Sequence, residues 1–240
     1  MSRNFALVPA AGTGTRMGDD LPKQYHLLAG RPMIRHALEV LCASPLIQRV
    51  FVVLAERDDI WERFDWSELG VKLSVLRCGG PTRAGSVLNG LTAISAVVKP
   101  DDWVLVHDAA RPCIARAGID SLIAAALSHP VGGLLAVPVA DTLKRGVRVG
   151  GALQVECTEA RDSLWRALTP QMFRLGPLAR ALASALGARR QPTDEAQAME
   201  WQGLAPLLVP GDARNIKITT PADLALAEVL LQGRASMRQP

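Results

Sequence analysis

Residues 5–18 read Phe5-Ala6-Leu7-Val8-Pro9-Ala10-Ala11-Gly12-Thr13-Gly14-Thr15-Arg16-Met17-Gly18. A short apolar run stops at a proline and passes into small residues and glycines, the pattern of a buried strand feeding a loop at its carboxyl end. Seven residues past Arg16 comes Lys23, within Pro22-Lys23-Gln24-Tyr25. Small residues let backbone N–H groups approach an anion, and Arg16 and Lys23 add fixed positive charge on either side of it. A nucleoside triphosphate would satisfy this cradle. The spacing excludes a dinucleotide-binding turn, which needs a third glycine and a later acid, and a P-loop, which needs Gly-Lys-Ser/Thr at its end. The bland alternative is an ordinary strand-to-helix turn carrying surface cations.

Further runs of strand length follow at Val50 to Leu54, Leu73 to Leu76, Trp103 to Val106 and Leu134 to Val137. Helical spacing lies between them, in Met33 to Leu41, Val87 to Ile94 and Ile119 to Leu127. This alternation predicts a doubly wound α/β fold with a mostly parallel sheet and a ligand crevice at the carboxyl ends of the strands. The pattern breaks at Val147 to Val155, which alternates around Gly150-Gly151 and reads as a β-hairpin. An isolated hairpin is barely stable, so this one is expected to project and pack on a second copy of the chain, the alternative being its own domain. A short strand at Asn215 to Ile218 and a helix from Pro221 through Leu231 complete the expected domain, 1–232. The arm occupies about 141–162, and 233–240 reads as a frayed tail.

The chain has 240 residues, 49% hydrophobic, enough for one α/β domain with an elaboration. Cys42, Cys78, Cys113 and Cys157 show no zinc or disulfide spacing, which suits a reducing cytoplasm. No signal segment or bilayer-length apolar stretch is expected to place it at a membrane. A net charge of +4 with dispersed arginines and 4% aromatics argues against nucleic acid as a partner.

Asp108, in His107-Asp108-Ala109-Ala110-Arg111-Pro112 at the end of a strand, is placed either to hold Mg²⁺ against phosphates or to cap a turn. Gly80 and Ser86, in the Gly79 to Val87 segment, are candidates for a base or ribose pocket. Thr142, Thr193 and Lys217 sit at element boundaries where an anionic second substrate is gripped, Thr193 equally reading as a helix N-cap. Arg161 by itself reads as a surface arginine. The four histidines show no metal spacing and no nucleophile elbow is present. A reaction without a side-chain nucleophile is implied, and phosphate attacking phosphate fits, because a phosphomonoester is already an anion at neutral pH.

Taken together, Pro9-Ala10-Ala11-Gly12-x-Gly14-x-Arg16-Met17, Pro22-Lys23-Gln24-Tyr25, His107 to Pro112, Asp141-Thr142, Leu168-Thr169-Pro170-Gln171, Thr193-Asp194-Glu195-Ala196 and Asn215-Ile216-Lys217 resemble the 2-C-methyl-D-erythritol 4-phosphate cytidylyltransferases over nearly the whole chain. The resemblance implies a Rossmann-like fold dimerising through its β-arm, and transfer of CMP from CTP to a methylerythritol phosphate. It implies that Arg16 and Lys23 stabilise charge at the α-phosphate, and that Pro9, Ala10, Ala11, Gly12, Gly14, Gly80 and Ser86 bind CTP. It further implies that Asp108 holds Mg²⁺ and the acceptor, and that Arg111, Thr142, Thr193 and Lys217 grip the acceptor, with Arg161 arriving from a partner subunit. Arg161 and Lys217 thereby join the catalytic set. Pro81 departs from the acidic residue common at this point, which bears on cytosine selectivity. The rival acceptor is another polyol phosphate such as ribitol 5-phosphate, and the rival class is a nucleotide-binding regulatory module.

Overall fold

In the computed structural model, which describes residues 2–12 and 21–236, all the apolar runs named above form strands. β1 is Asn4–Pro9, β4 Arg49–Leu54, β5 Leu73–Arg77, β6 Trp103–Val106 and β7 Gly132–Pro138; β2 (Leu27–Leu28) and β3 (Arg31–Pro32) make a small separate ribbon. The expected helices are α1 (Met33–Cys42), α2 (Arg83–Ile94) and α3 (Arg116–Leu127). Beyond them lie β8 (Leu143–Val149), β9 (Ala152–Glu159), β10 (Trp165–Arg174), α4 (Leu175–Gly187), α5 (Glu195–Glu200), β11 (Leu207–Pro210) and α6 (Pro221–Ser236).

The central sheet has the order β11-β7-β10-β6-β1-β4-β5. Every pairing in it is parallel except those of β10, which runs antiparallel to both β6 and β7. Period-two alternation divides its side chains between two helical layers. Ala6, Val8, Val50 and Val52 face the side packed by Ile34, Leu38, Ile119 and Leu122. Phe5, Leu7, Phe51 and Val53 face Val87, Leu91, Leu178 and Leu182. Burial on both faces explains why these strands read as unbroken apolar runs.

Three expectations change. β10 and β11 were not foreseen. Asn215 to Ile218 forms no strand; the Ile218 N–H donates to the Ala110 carbonyl (2.8 Å) and Asn215 Nδ2 donates to the Thr169 carbonyl (2.7 Å), so the segment is a loop pinned onto the site. α6 runs to Ser236, past the start of the expected tail. The hairpin is present: β8 pairs with β9 alone, and Gly150 (φ +56°) and Gly151 (φ +85°) supply the left-handed backbone that a two-residue turn demands. Among the described residues no helix is long and apolar enough to cross a membrane.

Candidate active site

The loops leaving β1, β5 and β6 converge on a cavity of about 540 Å³. Pro9 to Gly12 form one wall, held in place when Gln24 Nε2 donates to the Ala10 carbonyl (2.7 Å) and Ala10 N–H to the Val53 carbonyl (2.8 Å). Gln24 and Tyr25 are buried in a 3-10 turn, with Tyr25 stacked on Phe64 and donating to Asp58 (2.6 Å). That anchoring leaves Lys23 at the cavity, where its ammonium reaches the Ile218 carbonyl at 2.9 Å. The opposite wall comes from Gly80 and Ser86. Ser86 Oγ accepts from Gly80 N–H (3.0 Å) and donates toward the Thr82 carbonyl (3.0 Å), tying the loop to the first turn of α2. Thr82 caps that helix, accepting from Gly85 N–H. The two walls touch at Gly79, where an added Cβ would lie 2.2 Å from the Ala11 Cβ and 2.8 Å from the Leu54 carbonyl oxygen.

Asp108, at the end of β6, lies at the centre of a charge network. Its Oδ1 accepts from Arg83 Nε (2.7 Å) and its Oδ2 from Lys217 Nζ (2.9 Å), with Arg111 Nε 3.7 Å away. Arg83 extends further, its two terminal nitrogens meeting both oxygens of the buried Glu195 at 2.7 and 3.0 Å. Burial pushes the Asp108 carboxyl up, but the charges of Arg83 and Lys217 outweigh it and hold the group well below the usual carboxylate range. Burial likewise opposes the Arg83 charge, and Glu195 and Asp108 more than restore it.

Beneath them His107 is fully buried, and burial drives its pKa down to about 4. Its Nε2 faces the Arg111 carbonyl (3.1 Å), which only accepts, so Nε2 carries the proton and Nδ1 accepts from the Thr169 hydroxyl (3.0 Å). Thr169 Oγ1 in turn accepts from Asp108 N–H (3.0 Å). A neutral imidazole and one hydroxyl thereby fix the backbone of Asp108.

Of the predicted residues, Pro9, Ala10, Ala11, Gly12, Lys23, Gly80, Ser86, Asp108 and Lys217 all line the cavity. Arg111 is buried behind it, donating to the Asn215 and Ala167 carbonyls. Thr142, Arg161 and Thr193 are exposed and lie outside the cavity lining, and Arg161 bonds the Ala140 carbonyl at the foot of the arm. Gly14 and Arg16 fall outside the described residues. The cap of α5 is Asp194, which accepts from Gln197 N–H (2.9 Å), rather than Thr193. The Asp108 carboxylate meets cations instead of capping a turn.

Sequence reading missed Arg83 and Glu195. The available signal was an arginine opening the helix after Gly79-Gly80, in a loop already assigned to the pocket. As for a metal, both Asp108 oxygens are engaged by cations, and the described residues contain no group of three ligating side chains. Mg²⁺ is commonly held by one or two carboxylates together with substrate phosphates. This donor set fits an ion brought in on phosphates better than one resident on the protein.

The model of the 2-C-methyl-D-erythritol 4-phosphate cytidylyltransferase family matches residues 5–233. Curated relatives bearing that name include one from Dechloromonas aromatica, 58% identical over 98% of this chain and 100% of its own, and one from Azoarcus sp., 57% identical over 99% and 98%. Among solved structures, a 4-diphosphocytidyl-2C-methyl-D-erythritol synthase superposes with a TM-score of 0.82 at 37% identity, covering 96% of this chain and 100% of its own. The Francisella tularensis cytidylyltransferase gives 0.79 at 36%, covering 95% and 100%. With a cationic cavity at the carboxyl ends of its strands and a match running almost end to end, the chain belongs to the 2-C-methyl-D-erythritol 4-phosphate cytidylyltransferase family.

Proposed function

We propose that the protein transfers the cytidylyl group of CTP to 2-C-methyl-D-erythritol 4-phosphate, giving 4-diphosphocytidyl-2-C-methyl-D-erythritol and pyrophosphate. Beside the family match, one observation carries the reading: among the described lining residues the polar side chains other than the cations are engaged, Gln24 with the Ala10 carbonyl and Thr82 in capping α2, and none is poised as nucleophile or base. The Ser86 hydroxyl is spent on backbone groups, Asp108 is locked between cations, and His107 is buried and neutral. Such a wall suits a substrate that brings its own nucleophile.

In this reading an acceptor phosphate oxygen attacks the α-phosphorus in line, the bond to the β-phosphate breaks, and pyrophosphate leaves. The loop Pro9 to Gly14, through the backbone from Ala10 to Gly14, holds the nucleotide with Gly80 and Ser86, while Arg16 and Lys23 meet the charge that builds on the α-phosphate. Asp108, Arg111, Thr142, Thr193 and Lys217 orient the acceptor, and Arg161 is delivered by the arm of a second copy in a homodimer. Mg²⁺, when bound, neutralises phosphate charge, and Asp108 is the carboxylate at the cavity that would hold it. Pro81 puts no acid against the base, leaving cytosine selection to the backbone of the loop that Ser86 ties in place. A cytoplasmic setting agrees with the thiol content.

Pyrophosphate release measured with the four nucleoside triphosphates against methylerythritol phosphate and ribitol 5-phosphate tests the assignment. Turnover is expected with CTP and methylerythritol phosphate. Markedly better use of ribitol 5-phosphate would reassign the acceptor, and nucleotide binding without turnover would make the chain a regulatory module.

A further inference from the structure

We propose that Glu195 and Arg83 form a positioning pair for the acceptor end of the site, acting through Asp108 on Lys217; the catalytic consequence rests on the functional reading above. Glu195 is fully buried, and a buried carboxylate is tolerated only when paired and hydrogen-bonded. Arg83 satisfies it with two donors, at 2.7 and 3.0 Å. Because a guanidinium is a rigid planar fork, fixing its two terminal nitrogens also fixes the direction of Nε. That third donor takes Asp108 Oδ1 at 2.7 Å.

The effect on Asp108 is selective. One oxygen is claimed by Arg83, and the other is left to face Lys217 at 2.9 Å and Arg111 at 3.7 Å. Lys217 rides on a loop without regular hydrogen bonding, and its ammonium is held by Asp108 Oδ2. Charges therefore alternate through the network, negative at Glu195, positive at Arg83, negative at Asp108 and positive at Lys217. Were Glu195 uncharged, the Arg83 fork would be free to turn onto both oxygens of Asp108 and displace Lys217. Glu195 thus keeps half of Asp108 available to the lysine at the acceptor end. It touches no substrate in this arrangement.

Two measurements on Glu195→Gln test this. In its crystal structure, Arg83 is expected to pair with both Asp108 oxygens and Lys217 Nζ to leave hydrogen-bonding distance of Oδ2; a retained Lys217–Asp108 bond would overturn the proposal, whether or not the protein turns over any substrate. In steady-state assays the KM for the acceptor is expected to rise about tenfold, the equivalent of about 1.4 kcal/mol, with the KM for CTP changed less than about twofold. Glu195→Asp, which keeps the charge, is expected to recover part of the loss. Should Glu195→Gln fail to fold, Arg83→Lys keeps a cation beside Glu195 but cannot reach both carboxylates, and it is expected to show the same KM split. Folded variants whose two KM values rise together, or stay at wild-type values, would reduce the pair to a structural tie. Wild-type protein inactive with both substrates would instead refute the functional reading, leaving the crystallographic result to decide the pair.

Discussion

Lys23 projects from a turn anchored by the buried Gln24 and Tyr25, so removing its ammonium costs the bond to the Ile218 carbonyl but leaves the turn's own anchors in place. Lys23→Ala is expected to lower kcat by about 10²- to 10³-fold, as when one donor to a developing oxyanion is deleted, with an unchanged circular dichroism spectrum. Near-normal turnover would remove Lys23 from the proposed role. Gly79→Ala is a contrasting case, because the new methyl meets the Ala11 Cβ and the Leu54 carbonyl, neither of which can yield cheaply. A destabilisation of about 1–3 kcal/mol in urea unfolding is expected, together with weaker CTP binding by calorimetry. His107 carries a pH dependence. Its folded pKa lies near 4 against 6.5 when unfolded, so the unfolded chain takes up the proton first as pH falls. Stability should therefore decline from about pH 6.5 toward 4, by up to about 3 kcal/mol from this residue. His36, also lowered by burial, adds in the same sense. Carboxylates held low, such as Asp223 at about 2, lose their contribution only at lower pH. Imidazole resonances followed by NMR would show His107 unprotonated at pH 5; protonation at pH 6 would contradict the burial argument.

Among the elements, the hairpin is the one whose sequence and surroundings disagree. Its cross-strand partners place Val147 and Val149 on one face and Leu153 and Val155 on the other, and all four are exposed. Apolar side chains on both faces of a two-stranded ribbon call for cover beyond the ribbon itself. Leu153→Asp combined with Val155→Asp is expected to shift the sedimentation coefficient from dimer to monomer while leaving the melting of the central domain nearly unchanged; an undisturbed dimer would move the interface elsewhere. The turn was legible because Gly-Gly between alternating residues has few other uses. The parallel strands were legible because burial on both faces leaves an unbroken apolar run. β10 was not, since Arg166, Thr169, Pro170 and Gln171 interrupt its pattern and its ladder shifts register between Ala167 and Gln171. Thr169 serves His107 and Asp108, and Gln171 serves Asp194 and Ala196, so local function had overwritten the periodicity. Asn215 to Ile218 misled in the opposite direction, because two apolar residues in alternation mimicked a strand while the polar pair belonged to the site.

For the molecule as a whole, the site draws on both halves of the chain, and this sets what sequence could reveal. Among the wall residues, Pro9 to Gly12, Gly80 and Asp108 were legible because each lies at or just past a strand end. The Arg83–Glu195 pair spans 112 positions, and no local pattern announces a contact at that separation. The exposed positions of Thr142 and Arg161, outside the cavity of their own chain, lead to a prediction about subunits. Mixing an Arg161→Ala chain with a Lys23→Ala chain is expected to restore measurable pyrophosphate release, since one interface of a mixed dimer then carries both intact residues. No recovery above the separate variants would mean that each subunit completes its own site.

The position of β10 also has a consequence for synthesis. It fills the gap between β6 and β7, yet it is translated after both of them and after the hairpin. A nascent chain that has left the ribosome only as far as Leu164 must therefore display an open edge on β6 and a β7 with neither of its sheet partners, since β11 follows later still; the ten residues of β10 close the gap between them, and β7's outer edge stays open to wrong partners until β11 emerges.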